Sequence, residues 1–131
     1  MITDPISDML TRIRNAQLVK KAEIILPFSS IKQTIAKILE KEQYVHSVYE
    51  IEDGNKRLLR IVLSYGKNKE PRIQFIKRVS TPGRRVYAKF HELPYVRSNM
   101  GIAIISTSNG LMTNKEARTR HLGGEVICEV Y

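Results

Sequence analysis

Gly101-Ile102-Ala103-Ile104-Ile105-Ser106-Thr107-Ser108-Asn109-Gly110 opens the stretch that decides the fold, and Leu111 to Glu125 completes it. The run Ile102–Ile105 is too short for a helix and is flanked by turn residues, which suits a strand buried on both faces. It stops at five small polar residues, 106–110, which favour a solvated turn. Thr113 stands three residues before Glu116, the spacing of a capping box. A short helix is expected from Asn114 to His121, ended by Gly123-Gly124. A buried strand and a capped helix would hold a cluster of hydroxyls at the surface.

Upstream, Asp4-Pro5 reads as a helix start, with Asp4 as cap and proline at the first position. Ile6, Met9, Leu10, Ile13 and Ala16 recur at helical spacing and leave Asp8, Thr11, Arg12 and Asn15 on the polar side. Glu23 to Leu26 is a short strand ended by Pro27. Ser30 and Gln33 repeat the capping-box spacing before a second helix with Ile31, Ile35, Ile38 and Leu39 inward. Strands near 47–52 and 57–64 flank Asp53-Gly54-Asn55, a strong hairpin turn. Residues 66–71 read as a linker, polar and bounded by glycine and proline. Beyond it come strands at 73–79 and 86–90, a turn at Pro82-Gly83, an irregular segment at Leu93-Pro94-Tyr95, and a closing strand from Glu125 to Tyr131. The expectation is an α+β protein of two small packed domains. Residues 1–65 would form an α-β-α-β-β domain, and residues 71–131 a mostly β domain with one short helix, the main binding domain.

A chain of 131 residues with 42% hydrophobic and 27% charged residues has enough apolar material for a core and no apolar run near the length of a membrane span. The N-terminus lacks the basic-then-apolar layout of a signal peptide. The single cysteine, Cys128, excludes an internal disulfide and alternates with Val126 and Val130, as a buried strand thiol would. These features point to a cytoplasmic protein. The net charge is +9, unevenly placed: residues 65–131 hold 12 Lys/Arg against 5 Asp/Glu, a balance of +7, and residues 1–64 only +2. A balanced half joined to a basic half points to a polyanion bound mainly by the second.

The hydroxyl turn by itself leaves three readings open: a bland surface turn, the phosphate loop of an enzyme, or a nucleic-acid contact. The phosphate loop lacks the spaced glycines and the Gly-Lys-Ser/Thr ending. His46, His91 and His121 share no metal-ligand spacing, and neither serine of the turn has a recognisable base and orienting group. An enzyme and a cofactor are therefore not expected. Arg84, Arg85, Tyr87 and Lys89 form a basic segment with an aromatic able to stack on an unpaired base. Arg72, Lys77 and Arg78 belong to a diffuse phosphate field.

Four segments together resemble one family. S-T-S-x-G at 106–110, A-R at 117–118 and G-G-E at 123–125 form the most characteristic; D-P-I-x-D-M-L-T-R-I-R-N at 4–15, P-G-R-R-V-Y at 82–87 and E-L-P at 92–94 follow the same order. The chain resembles the eighth protein of the small ribosomal subunit, bacterial type. The resemblance implies a structural constituent that binds an irregular helix in the central domain of small-subunit ribosomal RNA and supports subunit assembly. It places Ser106, Thr107 and Ser108 on bases and sugars, with Gly123, Gly124 and Glu125 beside them. Asn109 stands where the family often has a basic residue. Arg84, Arg85 and Tyr87 join this surface. Thr3, Asp4, Arg12 and Asn15, with Ser30 and Lys32, resemble a second, weaker RNA contact. The implied partners are other small-subunit proteins, the fifth in particular, and the protein's own messenger RNA. A non-ribosomal RNA-binding module is the alternative.

Overall fold

The computed structural model describes residues 4–131. Its helices and antiparallel sheets make an α+β fold, as the periodicities predict. The chain forms two compact units, Pro5–Ile73 and Gln74–Tyr131, with Asp4 in the second. Thr3 lies outside the described residues.

In the first unit α1 (Pro5–Leu18) precedes β1 (Glu23–Pro27), α2 (Ser30–Lys41), β2 (Val45–Asp53) and β3 (Lys56–Leu63). The three strands pair antiparallel in the order β1-β3-β2. Burial of Ile6, Met9, Leu10 and Ile13 on α1 follows the helical spacing, and Ile35 and Leu39 of α2 join Leu59 and Ile61 of β3 in the core. Gly54 takes φ 64 in the two-residue connection between Asp53 and Lys56, a conformation open to glycine without strain.

Several expectations need correction. Ser29, not Ser30, caps α2, its hydroxyl accepting from the Lys32 amide at 3.3 Å. The buried stripe of α2 runs through Lys32, Ile35, Ala36 and Leu39, so Ile31 is left 41% exposed. The stretch 66–71 is a closed loop and not an open linker: Gly66 donates to the Glu70 carbonyl, and Tyr65 bridges Pro71. Among the described residues, α1, α2 and the later helix Asn114–Thr119 each end on a left-handed residue other than glycine: Lys20 (φ 57), Gln43 (φ 66) and His121 (φ 57). Each stop is closed by the amide of the next residue, which reaches back five positions, as Tyr44 does to the Leu39 carbonyl at 2.8 Å. Those bonds satisfy carbonyls that the helix end would otherwise leave unpaired, which offsets the steric penalty of the left-handed turn.

The second unit contains β4 (Ile76–Arg78), β5 (Tyr87–Ala88), a 3-10 turn (Phe90–Glu92), β6 (Ile102–Thr107), β7 (Gly110–Thr113), α3 (Asn114–Thr119) and β8 (Gly124–Val130). The sheet order is β4-β8-β6-β7, with β5 also on β8. Ile102 to Ile105 are all buried, as expected of the central run. The turn expected over 106–110 is shorter: Ser106 and Thr107 extend β6, and Gly110 to Thr113 fold back as a strand that was not anticipated. Thr113 caps α3 by accepting from the Glu116 amide at 3.2 Å, but the Glu116 carboxylate pairs with Arg120 at 3.0 Å and does not close the box. His121, not the Gly123-Gly124 pair, stops the helix. Leu93, Val96, Ala103, Ile105, Met112, Ala117 and Val126 form the core beneath.

Candidate nucleic-acid interface

The hydroxyl cluster sits at the tip of the β6–β7 hairpin, where Thr107 pairs with Gly110. Gly110 takes φ 105, which lets the chain reverse tightly. The Thr107 hydroxyl donates to the Gly110 carbonyl at 2.8 Å and accepts from the Asn109 amide at 3.1 Å, so it builds the tip. Ser108 and Asn109 are exposed, and the Ser108 hydroxyl makes no hydrogen bond among the described residues. A free donor and acceptor thus stands on a rigid turn.

Strand register brings the remaining candidates alongside. Ser106 lies opposite Glu125, and Glu125 lies opposite Tyr87, so three side chains on three neighbouring strands share one face of the sheet. Tyr87 is 69% exposed, which leaves its ring available for stacking. Gly124 packs so closely that an added Cβ would stand 2.0 Å from the Ser106 carbonyl oxygen. A Cβ at Gly123 would stand 2.6 Å from the Ala88 carbonyl oxygen. The two glycines are therefore required for β8 to enter between its neighbours.

Glu125 is held from behind. Its Oε2 accepts from the buried Ser80 hydroxyl and from Arg85 Nη1 at 3.0 Å, while Ser80 Oγ accepts from the Val86 amide at 3.2 Å. A carboxylate fixed by two donors on one oxygen has the other, Oε1, left to accept from a ligand. Arg85, expected to meet phosphate, is committed to Glu125 in the free protein. Arg84 is exposed, and its backbone closes the Pro82-Gly83 turn by exchanging two hydrogen bonds with Thr81.

Other candidates are not in this cluster. Asp4 and Arg78 are paired with each other at 3.1 Å, and Arg78 also donates to the Ile127 carbonyl. With its side chain only 8% exposed, Arg78 is a structural cation and not part of a diffuse field. Lys77 is exposed on β4. In the first unit, Arg12 pairs with Asp8 and lines a groove with Asn15, Val19, Lys21 and Ile25. Ser30 is exposed at the start of α2, and Lys32 is only 8% exposed. Arg72 stacks on the Tyr44 ring at 4.5 Å.

Sequence reasoning gave no supporting role to three residues that have one. Ser80 orients Glu125 from 45 positions away. Asn114, fully buried, accepts from the Ala103 amide and donates to the Pro94 carbonyl, tying the central strand to the segment beside it. Arg118, in the characteristic A-R pair, lies 4.0 Å over the Tyr95 ring and reaches the Leu93 and Pro94 carbonyls. No local pattern marks Ser80 or Asn114. Cys128 is an inert core thiol: burial, opposed by the nearby Arg78 charge, pushes its pKa up to about 12. Among the described residues no three His, Cys, Asp or Glu side chains converge as metal ligands, and no helix is long and apolar enough to cross a membrane.

A basic unit that presents free hydroxyls, a fixed carboxylate and an exposed tyrosine on one sheet face offers chemistry suited to RNA. Comparison with known proteins makes the class specific. Residues 4–131 match the model of the family described as ribosomal protein S8. The chain is 57% identical over 131 residues to the small ribosomal subunit protein uS8 of Caldanaerobacter subterraneus subsp. tengcongensis, covering 100% of this chain and 99% of the relative. It is 53% identical to the uS8 protein of Thermoanaerobacter sp. strain X514, with the same coverage. To that of Lysinibacillus sphaericus strain C3-41 it is 50% identical over 130 residues, 99% of this chain and 98% of the relative. The chain belongs to the ribosomal protein S8 family. It is a ribosomal protein, an RNA-binding part of a ribonucleoprotein engaged in translation, and not an enzyme.

Proposed function

We propose that this protein works in the cytoplasm as a structural constituent of the small ribosomal subunit, binding an irregular helix in the central domain of its RNA and so supporting assembly. The observation behind this reading is the register that sets Ser106, Glu125 and Tyr87 on one face beside the free hydroxyl of Ser108. Short hydroxyls and a carboxylate acceptor suit the 2′-hydroxyls and base edges of a shallow RNA groove, and Tyr87 suits a base displaced from its stack. Arg84 and the surrounding positive charge raise affinity without reading sequence. Residues 71–131 form the main RNA-binding domain and residues 1–65 a second one. There, Arg12, Asn15, Ser30 and Lys32 make a weaker contact. The protein's neighbours include the fifth small-subunit protein, and its own messenger RNA is a second ligand if it carries a similar irregular helix.

The direct test is titration with an internally looped helix from the central domain and with a fully paired control of equal length and charge. Tighter binding of the looped helix by at least tenfold is expected. Equal affinities would reduce the interface to a general polyanion surface and remove the proposed site. Crosslinking in cells, followed by sequencing of the attached RNA, separates the ribosomal target from any other.

A further inference from the structure

Beside the Gly123-Gly124-Glu125 strand start lies an aromatic pair without a role in that reading. The Phe90 and His121 rings stack with centroids 4.9 Å apart and planes at 28°, and His91 meets Phe90 edge-on at 5.2 Å. The pair is on the surface: Phe90 is 38% exposed and His121 is exposed as well. Leu122, the residue after His121, packs against the core of the unit, whereas Phe90 is outside that core among the described residues. The pair is also firmly placed. A Cβ at Gly123 would stand 2.9 Å from Lys89 Cα and 3.0 Å from the Phe90 amide nitrogen, so the backbone under Phe90 lies directly on Gly123.

We propose that the Phe90–His121 stack is a platform for an unpaired nucleobase of the bound RNA, a contact that rests on the RNA-binding reading above. Flat exposed rings beside a polyanion-binding face suit bases, because every base has a face to stack and the surrounding cations hold its phosphate. Lys89, between Tyr87 and Phe90, is exposed and supplies such a charge. His121 is informative in a second way. Its φ of 57 is one that glycine adopts without strain, so the helix stop gains nothing from an imidazole there. Among the described residues the ring's only engagement is the stack on Phe90, which turns the end of α3 into a surface that a glycine would not provide.

The test uses the full chain and an RNA hairpin with a purine internal loop, in which 2-aminopurine replaces each loop purine in turn. Wild-type protein is expected to quench the fluorescence of at least one position on binding, as stacking does. His121→Gly should lower affinity about 5- to 150-fold and abolish that quenching while melting no lower than wild type. Phe90→Ala should do the same to affinity, but His121→Gly decides, since its backbone is expected to tolerate the change. His121→Gly binding and quenching like wild type, with Ser108→Ala still impaired, would overturn the platform and leave the main site standing. Absence of binding by wild type would overturn both.

Discussion

Ser108→Ala separates recognition from folding. The Ser108 hydroxyl is exposed and spends no hydrogen bond inside the protein, so its loss opens no cavity and frees no partner among the described residues. Substitutions of that kind stay within about 0.5 kcal/mol, a shift of less than about 4 °C in Tm. In a dehydrated interface the same truncation strands a donor or acceptor of the RNA, which costs about 1–3 kcal/mol, or roughly 5- to 150-fold in Kd. Thr107→Val is the internal contrast. Its hydroxyl holds the hairpin tip through Gly110 and Asn109, and losing two exposed bonds is expected to destabilise by about 1 kcal/mol while loosening the turn. Thermal melts and fluorescence-anisotropy titrations on both variants give the comparison. A Ser108→Ala protein that melts well below wild type yet binds normally would refute the reasoning, because the hydroxyl would then be structural.

Three further outcomes follow from the geometry. Arg84→Ala should flatten the log–log salt dependence of binding by about 1, whereas Arg85→Ala should act chiefly by releasing Glu125; equal slopes for Arg84→Ala and wild type would remove Arg84 from the phosphate contacts. Gln43→Gly should raise stability in urea titrations by about 1 kcal/mol, since Gln43 holds φ 66 at the end of α2, and no gain would mean the left-handed turn is unstrained. Burial raises the folded-state Cys128 pKa from 9.0 to about 12, so the thiol's contribution is full below pH 9 and is lost as pH rises toward 12. Relative to Cys128→Ala, wild type should lose about 1.4 kcal/mol per pH unit in that window, and parallel stability curves would contradict it.

Local physics made the element order of the first unit legible, because Ile6, Met9, Leu10 and Ile13 can share a face only in a helix and Gly54 fits the tight turn observed there. The same was true of the buried run 102–105, the cap at Thr113 and the concentration of positive charge. The hydroxyl cluster was visible as a candidate because five small polar residues interrupt an apolar strand. Where the helices stop was not legible: Lys20, Gln43 and His121 are individually poor left-handed residues, and only the closing backbone bonds make those stops stable. Strand β7 was hidden because Met112 alone of its four residues is buried, so the segment shows no apolar alternation, and its first residue, Gly110, reads as part of the turn. The commitment of Arg85 to Glu125, and of Arg78 to Asp4, also escaped a charge count, since residues 40 and 74 positions apart meet only after the sheet forms. The sequence by itself determined the periodicities, the charge and the chemistry on offer. Tertiary structure decided which hydroxyls and charges the protein uses internally and which remain exposed, because hydrogen-bond partners are set by distance in space and the chain order does not encode it.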